Sequence, residues 1–409
     1  MTMKYNHKFR RTVISSVVAT ALLGGISAPA FAEVKFGALY PLSGGLALLG
    51  EESYRGLELA VDQINANGGV QGETVVLETG DAVDNNQAIG EARRLISRED
   101  VKAIFGTYAS SRSIAASQVA EMSKVPYFEL GAVADDVTER GLNYVFRTNP
   151  TAYHMAETII DMLVEGIAPE LGVDPTELRI GIIHEDSNYG SSVGKHQRAF
   201  AEEKGLNIVM EEHYPASSVD MSSIVLSLQD EEVDVVLQTS YQDDSVLFLR
   251  QANERDYRPK AIIGGGGGYS MTPTAEAVGH DVIDGVYDVD FTQYNIDPEF
   301  APGIEDFVAS YEEKYEESPR SGHSLMNYAG ALGLLRAIDA GSGFSADEIK
   351  EAVLAMDVPV GGTAAAIGIK IGENNQNERA SMMGMQWQDG ELVTVYPEGA
   401  SVADMRTSQ

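Results

Sequence analysis

Short apolar runs of strand length alternate along the chain with stretches whose apolar residues recur at helical spacing. Val34–Tyr40 is the first such run, and Pro41-Leu42-Ser43-Gly44-Gly45 is its exit loop. In the helix that follows, Leu57, Ala60, Val61 and Ile64 stand at i, i+3, i+4 and i+7, which gives one apolar face ended by Asn67-Gly68-Gly69. Thr74–Thr79 predicts a second strand, and Asn86–Arg98 a helix with Ala88, Ala92, Leu95 and Ile96 inward. Ala103–Gly106 and Pro126–Leu130 are two further strands, joined by a helix on which Ile114, Ala115, Val119 and Met122 recur. Strand and helix in strict alternation make a parallel sheet, and ligands bind such sheets at the carboxyl ends of the strands.

The pattern restarts after Tyr144–Asn149. Helices are predicted over Ala156–Glu165, Ser191–Lys204, Ser222–Gln229 and Asp243–Arg255, with strands Arg179–His184, Asn207–Tyr214, Val233–Gln238 and Ala261–Gly264 between them. Gly285–Phe291 reads as a returning strand, and Phe300–Glu316, Ser324–Ala340 and Ala346–Met356 as helices. Met382–Gln388 and Leu392–Tyr396 form a closing pair across an Asp389-Gly390 hairpin turn. The fold class is therefore α/β, with two doubly wound parallel-sheet lobes.

The first 32 of the 409 residues stand apart from this pattern. Lys4, Lys8, Arg10 and Arg11 precede the mostly apolar Thr12–Ile26, and Ala30-Phe31-Ala32 fits a small-residue cleavage site. The stretch is read as a secretory signal peptide cut after Ala32, which places the mature protein outside the cytoplasm. No later segment is long and apolar enough to span a bilayer. With no Cys there are no disulfides or thiolate metal sites, and neither metal nor cofactor is expected. Removing the four basic residues of 1–32 from 29 leaves 25 against 62 acidic residues, a net charge of −37. Such a surface argues against nucleic acid and anionic membranes as partners and fits a salt-rich medium. A monomer is expected.

Candidate chemistry concentrates at the predicted strand ends. Tyr108-Ala109-Ser110-Ser111 opens a helix, where hydroxyls and unpaired N–H groups suit a carboxylate or amide oxygen. A plain N-cap is the competing reading of Ser110 or Ser111. Gly131-Ala132-Val133 lies at the same edge. Glu129 points either to the cleft or outward. Five consecutive glycines, Gly264–Gly268, follow a strand without completing a dinucleotide fingerprint and read as a cleft wall. Tyr241-Gln242-Asp243-Asp244 puts an aromatic face beside a carboxylate, to hold a cation or a ligand amine, or lets Asp243 cap the next helix. Gly190-Ser191-Ser192-Val193-Gly194 matches G-x-S-x-G, but Glu185–Tyr189 separates it from the strand that a nucleophile elbow requires. His184-Glu185-Asp186 lacks the second His of a metal helix. A hydrolase using Ser192 is thus the weaker rival, and the chain is read as a binding protein rather than an enzyme.

Taken together, FGALYPLSGGLALLGEESYRGLELAVDQINANGGVQG, GTYASSRSIAAS, GAVADDVTERG with YVFRT, HEDSNYG and SYQDDSVLFLRQA resemble type I periplasmic solute-binding proteins of the branched-chain amino acid (Leu/Ile/Val) class. The resemblance spans essentially the whole chain after residue 32. It implies two lobes joined by a three-segment hinge, with crossings near Thr151, near Gly285–Asp290 and near Ala380. One lobe would hold 33–151 plus 286–380 and the other 152–285 plus 381–409. The implied function is a receptor that delivers a small polar organic ligand to the permease of an ABC importer, the alternative being a sensor subunit for a signalling receptor. By the same resemblance, Ser110 holds the ligand carboxylate, and Gly131 and Val133 stand where a small residue and a threonine serve the carboxylate and ammonium. Tyr189 and Tyr241 are the two tyrosines of the second lobe. Gly266 occupies the place of the glutamate that takes the ammonium. Leu49 replaces an aromatic residue, and His323 an apolar contact. Tyr108 is similar to its counterpart in amide-binding relatives. The oxygen-binding end is kept and the ammonium end rebuilt: either Asp243 or Glu129 takes over, or the ligand lacks an α-ammonium.

Overall fold

The computed structural model describes residues 1–2 and 32–407, so the expected leader lies almost wholly outside the described residues. The strands are β1 (Glu33–Tyr40), β2 (Thr74–Asp81), β3 (Ile104–Gly106), β4 (Tyr127–Glu129), β5 (Val145–Arg147), β6 (Arg179–Glu185), β7 (Asn207–Tyr214), β8 (Val235–Thr239), β9 (Ala261–Gly265), β10 (Tyr287–Asp290), β11 (Met383–Gln388) and β12 (Glu391–Tyr396). They form two sheets. One is parallel throughout, in the order β2-β1-β3-β4-β5. The other runs β12-β11-β10-β9-β8-β6-β7, parallel from β7 to β10 and antiparallel at β10–β11 and β11–β12. The parallel part of each sheet has the doubly wound order 2-1-3-4-5, so the two lobes repeat one plan.

Sheets covered by helices on both faces need strands that are apolar on both sides. β3, β4 and β5 are buried at every position, as is β8. β7, at an edge, is only partly buried. The helix Ala47–Ala66 buries Leu57, Ala60, Val61 and Ile64 as its spacing requires. It lies against the helix Gly322–Asp339 so closely that a Cβ at Gly56 would collide with the Ser324 carbonyl. Glu52, buried between these helices, accepts from the hydroxyls of Ser324 (2.5 Å) and Tyr311 (2.7 Å). Local signals set many helix starts. Asp84 caps Asn85–Ser97 through Gln87 N–H, and Thr151 caps Ala152–Met162, earlier than the apolar spacing alone predicted. At the far end, Asp389 and Gly390 both adopt positive φ (55° and 89°) in the turn between β11 and β12.

The chain passes between the sheets three times. It leaves the first between β5 and the helix at Ala152, and returns to it after β10. It leaves again before β11, after residues 375–377 have run beside Arg147, with Arg147 N–H to Asn375 O at 3.0 Å and Asn377 N–H to Arg147 O at 2.9 Å. One boundary needs correction. The expected first lobe took in residue 286 onward, yet β10 pairs with β9 and β11 in the second sheet. Tyr287–Asp290 is a buried strand that completes that parallel run, so the crossing lies beyond Asp290.

Candidate functional site

The carboxyl edges of the two sheets face each other, and a buried glutamate organises each. Glu129, the last residue of β4, is fully buried. Its Oε1 accepts from the N–H groups of Tyr108 (3.2 Å), Leu130 (3.1 Å), Gly131 (2.9 Å) and Ala132 (2.8 Å), and its Oε2 from Thr107 N–H (2.8 Å). Arg147, its register partner on β5, grips the same turn from the carbonyl side, donating to Ala132 O (3.1 Å) and Ala134 O (2.6 Å). Burial pushes the Glu129 carboxyl up, against the pull of its hydrogen bonds, and lowers the Arg147 guanidinium to about 10. Neither Glu129 nor the Gly131 and Ala132 amides are therefore free for a ligand, which corrects two expectations. The strand end turns the carboxylate inward, where five N–H groups of two turns converge. Donors remain nearby. The Val133 N–H makes no bond within the described chain, and Ser110 and Ser111 lie in the first turn of Ser110–Ser123, where N–H groups have no helical partner. The Ser110 hydroxyl accepts from Ala134 N–H (3.2 Å), which leaves its own proton to donate.

In the second lobe Glu185, ending β6, accepts from Ser187 N–H (2.7 Å), the Ser187 hydroxyl (2.7 Å) and Gly190 N–H (2.6 Å), which fixes the turn that presents Tyr189. The Tyr189 hydroxyl donates to Gly265 O. Tyr241 packs 5.1 Å from the Tyr189 ring and 6.3 Å from Tyr108 of the first lobe. Asp244, not Asp243, closes the cap of the helix Gln242–Glu254, accepting from Tyr241 N–H at 3.2 Å. The glycine run lets the lobes meet. Gly266 has φ +86°, and a Cβ at Gly267 would collide with the Tyr108 hydroxyl.

These elements border a cavity between the sheet edges, about 260 Å³ with the open space at its mouth included, lined by Tyr108, Ser110, Gly131, Val133, Met155, Tyr189, Tyr241, Gly266, Gly267, Asp290, Phe291 and His323. Eight of the eleven expected positions are in that lining; Ala132, Leu49 and Asp243 are not. Ala132 is buried behind the turn with its N–H and carbonyl engaged. Leu49 is buried with its side chain close to where a Cβ of Gly267 would lie, one layer back. Asp243 is exposed in an outer groove with Asp84 and Arg112, and Tyr241 lines both spaces. Asp243 is thus no partner for an ammonium in the inner cavity.

Met155, Asp290 and Phe291 were not anticipated. Asp290 carried a signal: Asp288 and Asp290 sit two apart in the otherwise apolar strand Tyr287–Asp290, hence on one face. Asp290 is 1 % exposed and accepts from the Ser270 hydroxyl at 2.6 Å. Burial raises the phenols of Tyr108, Tyr189 and Tyr241 well above their ordinary range and lowers His323, so the rings are neutral near pH 7. Ser192 is not set up as a nucleophile: its oxygen accepts from Asp135 N–H (3.1 Å), and among the described residues no histidine hydrogen-bonds to it. The contact belongs instead to a clasp between lobes, with Asp135 to His196 Nε2 at 2.6 Å and Ser111 to Asn188 at 2.9 Å.

A periplasmic binding protein family model matches residues 33–391. The chain is 62% identical over 399 residues, 98% of its length and 99% of the relative's, to Leu/Ile/Val-binding protein homolog 8 of Brucella abortus (strain 2308). Among solved structures it resembles the branched-chain amino acid transporter substrate binding protein LivJ of Streptococcus pneumoniae in complex with isoleucine (TM-score 0.76, 21% identity, covering 91% of this chain and 99% of that one). It also resembles an R. palustris solute binding protein in complex with 4-hydroxybenzoate (TM-score 0.76, 19% identity, 92% and 97% covered). At such identities these two structures speak for the fold.

Proposed function

Since the chain belongs to the periplasmic binding protein family, we infer that it is the solute receptor of an ABC importer, holding one small polar organic ligand between its lobes and handing it to a permease. The observation that carries this is the joint construction of the cavity. Tyr108, Ser110, Gly131, Val133 and His323 come from the first lobe, and Met155, Tyr189, Tyr241, Gly266 and Gly267 from the second. A ligand that contacts both halves favours the closed over the open form by its differential affinity. The Ser110 hydroxyl and the Val133 amide supply donors for an oxygen-bearing end. Work outside the cytoplasm, after loss of the leader at Ala32, goes with this role, as does a monomer that meets its permease only when closed.

The test is a thermal-shift screen of amino acids, amides, ureas and aromatic acids, repeated on Ser110→Ala. A true ligand raises the melting temperature by mass action. Ser110→Ala is expected to weaken its binding about tenfold while the unliganded protein melts nearly as before. Ala109, not Ser110, is the N-cap of this helix and no side chain caps it, so a variant that loses stability yet keeps its affinity would reduce Ser110 to the holder of Ala134 N–H.

A further inference from the structure

The cavity has a donor end at Ser110 and Val133, and elsewhere in its wall it carries an acid that no lysine or arginine among the described residues pairs with. Asp290 lines the cavity, almost wholly buried, and its Oδ2 is held by the Ser270 hydroxyl while Oδ1 receives no hydrogen bond from the described chain. Asp288, two residues earlier on β10 and fully buried, takes Gly266 N–H on Oδ1 (3.2 Å) and leaves Oδ2 without a partner. Among the described residues no lysine or arginine pairs with either carboxylate. The nearest base, His323, has Nε2 3.7 Å from Asp290 Oδ2, too long for a hydrogen bond, and burial holds its ring toward the neutral form. Burial and the adjoining carboxylate push Asp288 well above the usual range, which leaves Asp290, with its unpartnered Oδ1, as the carboxyl group that lines the cavity. A buried charge is costly without a counter-charge, and here the ligand is what can bring one. The walls suit that nitrogen. Tyr108 and Phe291 each lie 5.1 Å from the His323 ring, Tyr189 lies 5.1 Å from Tyr241, and all five rings share the cavity lining with Asp290.

We propose that Asp290 is the anchor for a cationic nitrogen, and that the ligand is a small zwitterion whose oxygen anion meets Ser110 and Val133 while its ammonium, primary or methylated, meets Asp290 within the aromatic walls. This rests on the receptor reading above. It puts the cation partner on β10 instead of on Asp243, Glu129 or the position of Gly266.

Two matched probe pairs test it on the intact wild-type protein by calorimetry and thermal shift: leucine against 4-methylpentanoate, and glycine betaine against 3,3-dimethylbutanoate. Within each pair the carbon skeleton or shape is kept and only the cationic nitrogen is lost. The expected result is that the zwitterion of at least one pair binds and its uncharged-tail mate binds about tenfold or more weakly. Asp290→Asn should then erase that preference while Ser110→Ala weakens both members alike; should Asp290→Asn fail to fold, the wild-type pairs still decide. Equal binding within both pairs, or binding only of 4-hydroxybenzoate or acetamide run alongside, overturns the zwitterion assignment and leaves the receptor reading standing. No shift with any of these probes counts against both.

Discussion

Glu129 illustrates how a residue can shape a binding site without touching what is bound. Its carboxylate gathers five backbone N–H groups from the turns after β3 and β4, so the positions of Ser110 and Val133 depend on it. Glutamine in its place would keep one accepting oxygen, aim an NH₂ at a donor, and remove one of the acids that act on Arg147, alongside Asp135 and Glu139. Glu129→Gln is expected to cost about 1–3 kcal/mol in urea unfolding and to weaken ligand binding as well; an unchanged midpoint would remove Glu129 from this role. Asp244 offers a pH test. Burial pushes its carboxyl up to about 7, helped by Glu185 and Asp243 nearby and opposed by the Tyr241 N–H. The unfolded chain gives up this proton near 3.8, so between about pH 4 and 7 the folded state binds more protons and stability falls as pH rises. Asp244→Asn should therefore raise the melting temperature at pH 8, by on the order of 1–3 kcal/mol of stability, and lose that advantage toward pH 4. Much of this scale was legible only in part. Ser110, Tyr189 and Tyr241 stand inside local motifs, and the fold keeps them at the cavity. The inward turn of Glu129 depends on two loops that are remote in sequence, and Asp290 reaches the cavity only because the chain returns through β10.

Among the elements, the run Gly264–Gly268 brings the lobes together at Gly267, beside Tyr108, Leu49 and His323 of the first lobe. The alternating pattern sufficed to predict strands and helices, because parallel strands and amphipathic helices write their burial into spacing. It could not say which sheet a short hinge strand joins, and Tyr287–Asp290 went to the second sheet through its pairing with Ile263–Gly265. Helix starts were displaced where caps rather than apolar spacing set them, as at Thr151. Gly267 marks where one lobe's turn receives the Tyr108 hydroxyl of the other. Gly267→Ala should push Tyr108 aside, weakening ligand binding about tenfold or more while the unliganded protein keeps its melting temperature. Loss of stability with affinity intact would make the run a packing device within the second lobe alone.

For the molecule as a whole, charge is the dominant condition. Acidic residues number 62 against 29 basic ones, and most of the ion pairs among the described residues are partly exposed, as with Lys102–Asp100 and Arg406–Asp389. Exposed pairs contribute little, whereas self-repulsion of the excess carboxylates opposes compactness. Raising salt from about 0.01 M to about 1 M shortens the screening length from roughly 30 Å to roughly 3 Å. The melting temperature is expected to climb by several degrees across that range, and a flat profile would dispose of the salt-rich habitat.

The three passages of the chain between its sheets carry a further consequence. The first sheet is complete by Arg147, but the helix Gly322–Asp339 that lies on Ala47–Ala66 arrives only after β10, and β11 and β12 come back later still. No single scission of the gene separates one half from the other. A fragment ending at residue 151 would carry a bare helix flank, and its complement would be left with a stray helical cluster beside a finished sheet. Such pieces should be insoluble apart and recover a binding protein only when refolded as a pair.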